Sequence, residues 1–206
     1  MKENRNLAIL LSGRGSNFLA IHEAVKRGDL NASICCVISN IEHAPGFARA
    51  RALGLNALFL PSNGAGRIEY DRLLLETLRP YHPAVICLAG FMRILTPEFV
   101  REYKGRIVNI HPALLPAFPG LHAQRQALEY GVKISGCTVH LVDEGVDTGP
   151  ILLQKAVDVR DEDTEESLST RILEQEHQIY WRAIALVLDG NIQREGRRII
   201  RMTSDE

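Results

Sequence analysis

Short apolar runs alternate with helix-patterned segments from the amino terminus onward, and this alternation constrains the fold more than any other feature of the chain. Leu7-Ala8-Ile9-Leu10-Leu11 reads as a strand. It runs into Ser12-Gly13-Arg14-Gly15-Ser16-Asn17 and then into a helical pattern through Phe18, Leu19, Ala24 and Val25 that stops near Gly28. Further strands are expected over residues 32–39, 55–60 and 84–89, separated by helices over 45–53 and about 67–81. The run Ala84-Val85-Ile86-Cys87-Leu88-Ala89 is apolar throughout, as suits a strand covered on both faces. The alternation predicts an α/β chain built on a doubly wound, mainly parallel sheet.

Beyond residue 95 the pattern predicts a short helix near 96–103, a strand over 106–110, strands over 134–142 and 151–159, and a long C-terminal helix over about 164–188 with Thr164 as its N-cap. Between them lies His111-Pro112-Ala113-Leu114-Leu115-Pro116-Ala117-Phe118-Pro119-Gly120, a loop stiffened by proline. The segment carrying Arg194, Arg197, Arg198 and Arg201 reads as a solvated tail or an edge strand. One domain over residues 1–206 is expected, with flexible ends at 1–6 and about 202–206.

At 206 residues, 46% of them hydrophobic, the chain can build a core without disulfide or metal staples. Its 24 basic and 25 acidic side chains leave a net charge of -1, so no global field draws it to nucleic acid or an anionic membrane. Any anion must be held locally. No apolar run approaches the ~20 residues of a membrane span, and Met1 to Asn6 lead straight into a strand, so a cytoplasmic location is expected. The four cysteines, at 35, 36, 87 and 137, lack metal-site spacing and read as reduced core thiols.

Three segments carry candidate chemistry. The glycine turn 12–17 opens a helix, where free N–H groups and the helix dipole favour an anion, although a plain tight turn is an equal reading. It matches neither the Walker A pattern nor the dinucleotide fingerprint. Asn109 and His111 alternate onto one face of a strand end, an amide donor beside a proton carrier, a pairing suited to acyl transfer or to bracing the proline loop. The loop Asp143-Glu144-Gly145-Val146-Asp147-Thr148-Gly149-Pro150 is either a solvated turn or the source of a carboxylate partner for His111. Cys137, His111, His122 and His140 are plausible metal ligands by type. Cys137 and His140 point to opposite faces of an extended strand, and no metal is expected.

Taken together these motifs resemble the phosphoribosylglycinamide formyltransferases, the folate-dependent glycinamide ribonucleotide transformylases of the formyltransferase family. The likeness extends from the first strand to the end of the long helix. It rests on Ser12 to Asn17, Gly90-Phe91-Met92-Arg93-Ile94-Leu95, Asn109-Ile110-His111-Pro112 with Leu114-Leu115-Pro116, and Asp143 to Pro150.

The resemblance implies a Rossmann-like formyltransferase fold and a catalytic trio of Asn109, His111 and Asp147. It implies a ribonucleotide site at Gly15, Ser16, Asn17 and Glu176. It also implies a formylfolate site at Arg67, Met92, Arg93, Ile94, Leu95 and Asn109, with Asp143, Glu144, Gly145, Val146 and Asp147. The implied cosubstrate is 10-formyltetrahydrofolate, the implied partners are small molecules alone, without nucleic acid or membrane, and the implied assembly is a monomer or homodimer. Ala113 stands where serine is frequent in the family, and Gln124 where many members have histidine; both leave the trio intact. A formyltetrahydrofolate hydrolase, and the formyltransferases acting on methionyl-transfer RNA or sugars, share the core but normally carry further domains, so length argues against them. A silent phosphate- or folate-binding sensor would have no need of a proton-transfer group.

Overall fold

The computed structural model describes residues 3–62 and 64–202. It contains a seven-stranded, mostly parallel sheet of order β3-β2-β1-β4-β5-β6-β7 and a separate two-stranded sheet, β8-β9. Two compact units divide the chain, Met1–Val108 and Asn109–Glu206.

The first unit runs β1 (Asn6–Leu11), α1 (Ser16–Arg27), β2 (Ser33–Ser39), α2 (Pro45–Ala52), β3 (Ala57–Phe59), α3 (Arg67–Leu78), a 3₁₀ turn (Arg79–Tyr81), β4 (Val85–Leu88) and α4 (Pro97–Glu102), and ends within β5 (Ile107–His111). β1 pairs in parallel with β2 on one side and β4 on the other, with Ala8 opposite Cys36 and Ile9 opposite Cys87. Leu7 to Leu11 are fully buried, which explains why β1 reads as an unbroken apolar run instead of an alternating one. Because order reverses between β1 and β4, the loops leaving their carboxyl ends flank the switch point where open α/β sheets bind ligands.

The caps follow local chemistry. α1 ends at Gly28, whose φ of 81° only glycine adopts without strain and whose N–H returns to the Val25 carbonyl. Thr96 caps α4 by accepting the Phe99 N–H at 3.3 Å. The helix expected over 67–81 stays α-helical only to Leu78, because Pro80 has no N–H to continue the ladder, and the last turn tightens to 3₁₀.

The second unit contains α5 (Ala123–Tyr130), the antiparallel pair β6 (Ile134–Leu141) and β7 (Ile151–Asp158), α6 (Glu165–Leu188) and the hairpin β8 (Ile192–Glu195) and β9 (Arg198–Arg201). Thr164 and Ser167 form a reciprocal capping box on α6, as the sequence suggests for Thr164. Leu168, Ile172, Ile179, Ala183 and Ile184 form its buried stripe against β6 and β7.

α5 is absent from the sequence reading. It is eight residues long, its buried residues are two alanines, Ala123 and Ala127, and its N-cap, His122, makes no side-chain cap. The basic tail, read as solvated or as an edge strand, forms a hairpin turning at Gly196, whose φ is 62°. The expected flexible ends fall partly outside the described residues; Asn6 already begins β1, and the Met202 N–H bonds the Asn191 carbonyl.

All four cysteines are free, three buried and Cys35 half-buried. No helix among the described residues is long and apolar enough to cross a membrane.

Candidate functional site

In the first unit the glycine turn is shaped by close main-chain packing. Gly15 has φ 73° and is the N-cap of α1, and a Cβ there would lie 2.6 Å from the Cα of Gly46. The Gly46 N–H donates to the Gly13 carbonyl at 3.0 Å, so the start of α2 braces the turn. Two glycines are needed because two backbones touch. Ser16 and Asn17 open α1, placing their N–H groups in the first turn, where helical donors have no carbonyl partner within the helix.

Across the switch point the loop after β4 is tied to the same turn. The Ser12 N–H donates to the Gly90 carbonyl at 3.0 Å, and Ser12 Oγ accepts the Met92 N–H at 2.8 Å while donating to Asn40 Oδ1 at 2.6 Å. Met92 and Ile94 are exposed, Leu95 is buried, and Arg93 lays its guanidinium 4.1 Å above the Tyr70 ring with Nη2 3.5 Å from the Ala65 carbonyl. Arg67 is exposed at the start of α3.

In the second unit Asn109, His111 and Asp147 come together. Asn109 and His111 sit two apart on β5, so strand geometry places both on one face. Asp147 arrives from the β6–β7 loop with φ 54°, a left-handed conformation rare for a residue other than glycine. Its Oδ2 lies 3.3 Å from His111 Nδ1 and accepts the Gly120 N–H at 2.8 Å; its Oδ1 lies 3.5 Å from Asn109 Nδ2. The other imidazole nitrogen of His111, Nε2, lies 2.8 Å from the Phe118 carbonyl, which can only accept, so Nε2 carries a proton.

His140, considered from sequence only as a metal ligand, proves to belong to this cluster. Its Nδ1 faces the Leu141 carbonyl at 3.0 Å and must donate, which leaves Nε2 to accept from Asn109 Nδ2 at 3.1 Å. That bond turns the Asn109 amide nitrogen toward Asp147. One of its hydrogens goes to His140 and the other to Asp147 Oδ1 at 3.5 Å. Nothing in the sequence pairs residues 109 and 140, because β5 and β6 are separated by the proline loop and α5.

The two ionisable partners shift in one direction. Burial pushes the His111 imidazole below its ordinary value and outweighs the upward pull of the Asp147 charge and the Phe118 carbonyl; His140 adds to the lowering. Burial would raise the Asp147 carboxyl, but the His140 imidazole 3.6 Å away, the Gly120 N–H and the charge that His111 gains in acid hold it below the usual carboxylate range. A buried imidazole, lowered from its ordinary value, thus faces a carboxylate at 3.3 Å, placed so that a proton on Nδ1 is shared with Asp147 Oδ2.

The rest of the 143–150 loop divides by role. Asp143 Oδ1 accepts from the Gly145 N–H at 3.1 Å and the Thr148 hydroxyl at 2.6 Å, closing the turn, while Glu144, Gly145 and Val146 are exposed. Of the three carboxylates, Asp147 is the one that reaches the cluster. Glu176 is buried on α6 beside Cys137, whose thiol is pushed up to about 12 by burial first and the Glu176 charge second. Among the described residues no three or more His, Cys, Asp or Glu side chains are grouped to hold a metal ion.

Comparison with known proteins agrees with this architecture. Residues 5–184 match the formyl transferase family. The phosphoribosylglycinamide formyltransferase of Escherichia coli (strain K12) is 43% identical over 189 residues, covering 91% of this chain and 89% of that protein. The trifunctional purine biosynthetic protein adenosine-3 of Drosophila melanogaster is 46% identical over 192 residues; the match covers 92% of this chain but only 14% of that longer protein. Among solved structures, glycinamide ribonucleotide transformylase 1 from Symbiobacterium toebii superposes with a TM-score of 0.95 at 45% identity, over 98% of this chain and 96% of that one. A match across most of the chain, on a doubly wound sheet with a histidine–carboxylate pair where β5 ends, places the protein in the formyl transferase family.

Proposed function

We propose that the protein transfers the formyl group of 10-formyltetrahydrofolate to the primary amine of 5'-phosphoribosylglycinamide, a step of de novo purine biosynthesis, giving the formylglycinamide ribonucleotide and tetrahydrofolate. The observation that carries this reading is the cluster of Asn109, His111 and Asp147, an amide donor and a buried imidazole that both lie within 3.5 Å of one carboxylate. The relatives bearing that activity in their names support it.

The chemistry follows from the protonation states. The amine attacks the formyl carbon, a new N–C bond forms, and the formyl oxygen becomes an oxyanion that accepts the second Asn109 hydrogen. The attacking nitrogen must lose a proton, and the neutral His111 can take it at Nδ1, where Asp147 stabilises the imidazolium so formed. The C–N bond to the folate nitrogen then breaks as that proton is returned to it. One proton leaves the amine and one reaches the folate nitrogen, with no net uptake and no step that requires a metal.

Gly15, Ser16 and Asn17 take the ribonucleotide phosphate at the start of α1, with Glu176 on the glycinamide. Arg67, the 92–95 segment and the 143–147 loop take the folate. Activity inside a cytoplasmic compartment, as monomer or homodimer, belongs to the same reading.

The deciding experiment follows tetrahydrofolate release with and without phosphoribosylglycinamide. Release that depends on the ribonucleotide and yields its formylated product supports transfer. Equal release in its absence overturns it in favour of hydrolysis.

A further inference from the structure

The loop from Pro112 to His122 makes two main-chain bonds to the candidate catalytic pair, and a side chain outside that pair holds the peptide between them. The Phe118 carbonyl accepts from His111 Nε2, and the Gly120 N–H donates to Asp147 Oδ2, each at 2.8 Å. Between these contacts lies the peptide unit joining Pro119 to Gly120. Its C=O and N–H are two ends of one planar, resonance-coupled group. Gln126, on α5, donates its Nε2 hydrogens to the Leu121 carbonyl at 2.8 Å and the Pro119 carbonyl at 3.3 Å. Both partners can only accept, which fixes the orientation of the amide. A continuous line of polar contacts thus runs from Gln126, through the Pro119–Gly120 peptide, to Asp147 and on to Nδ1 of His111.

Two physical effects follow. A donor on a peptide carbonyl polarises the group and strengthens its N–H as a donor in turn. It also holds the peptide plane, and this loop needs holding: Phe118, Gly120 and His122 have φ of 53°, 81° and 58°, and the two that are not glycine occupy a region that side chains rarely adopt without restraint. We propose that Gln126 is a positioning residue of the formyl-transfer site, acting on Asp147 through the Pro119–Gly120 peptide. The proposal rests on the reading of Asp147 as a catalytic carboxylate.

The groups that face Asp147 are His111 from β5, His140 from β6, and Arg197 and Arg198 from the C-terminal hairpin, which share a cavity of about 240 Å³ with it; the Asn109 amide is its neutral neighbour. On α5 Arg125 is paired with Glu165 at 3.0 Å, while Glu129 and the preceding His122 are exposed.

The test compares Gln126→Met, which keeps length and removes the donor, with the native protein by NMR. The readouts are the Gly120 amide proton and the carboxyl titration of Asp147. The expected result is an upfield shift of the Gly120 proton and a rise of about half to one pH unit in the Asp147 midpoint. At pH 8 kcat should fall about three- to tenfold with KM little changed. Gln126→Leu, neutral and also without the donor, gives the same readout if the methionine variant does not fold. A folded variant whose Gly120 resonance and Asp147 titration are both unchanged overturns the proposal. If the titration moves while kcat does not, Gln126 does position Asp147 and the catalytic reading of that carboxylate falls, an outcome that Asp147→Asn with near-native turnover would corroborate.

Discussion

Nδ1 of His111 lies 3.3 Å from Oδ2 of Asp147, and the two residues come from segments that the sequence separates by a loop, a helix and a strand. The pair is short enough to share a proton, and burial lowers the imidazole from its ordinary value. This relationship makes the site a proton acceptor with a prepared counter-charge.

Substituting either partner should cripple turnover without unfolding the chain. General acid–base assistance is worth roughly 10²–10⁴-fold, so His111→Ala and Asp147→Asn should each lose activity in that range while still melting cooperatively. Asn109→Ala should lose about 2.7–4 kcal/mol of transition-state stabilisation. Steady-state kinetics beside thermal melts check this, and near-native turnover in the His111 or Asp147 variant would remove the pair from the mechanism.

The pH dependence has a definite sign. His111 must be neutral to accept the proton, and its value lies below the ordinary 6.5, so the acid limb of kcat/KM should fall below that pH. Stability should fall in the same direction. Unfolded chains take up a proton on His111 near 6.5 and on Asp147 near 3.8, while the folded chain resists both, so the unfolded state binds more protons and acid favours it. The His111 contribution is complete above 6.5 and declines as pH falls toward its lower folded value; the Asp147 contribution persists above 3.8 and is lost through its own folded value. Denaturant titrations across pH 3–8 test the slope, and an acid limb above 6.5 would contradict the burial argument.

Gly15→Ala should damage the ribonucleotide site through geometry. The added Cβ would sit 2.6 Å from the Gly46 Cα at a φ of 73°, so the turn or the start of α2 must move. The backbone strain alone is about 1–3 kcal/mol. Calorimetric titration of the folded variant should show ribonucleotide affinity reduced far more than formylfolate affinity. Equal losses would argue against an anion role for the turn.

Arg93→Met should act on the folate side. The guanidinium stacked over Tyr70 at 4.1 Å is already ordered, so its loss removes a prepared cation without emptying the core. The expected change is a rise in KM for the formylfolate of about tenfold with kcat and the melting temperature little altered. A collapse of kcat instead would place Arg93 in the chemistry.

Periodicity alone determined a great deal of this protein. The apolar run of Leu7 to Leu11, the alternation of strands and helices up to β4 and the N-cap of α6 are local properties, so the doubly wound order of elements could be read directly from the chain. Asn109 and His111 were equally legible as a pair because two residues of one strand must share a face. α5 was not legible, since an eight-residue helix that buries two alanines and lacks a side-chain cap has almost no pattern to read. Nor were the partners of the pair. Asp147 looked like one of three carboxylates in a turn until the fold assigned Asp143 to closing that turn and brought Asp147 to the imidazole. His140 and Gln126 acquire meaning only through contacts across β5, β6 and the proline loop. Charge state was also a tertiary matter: the sequence offers a carboxylate that favours a charged histidine, and the fold sets against that attraction a burial that lowers the imidazole from its ordinary value.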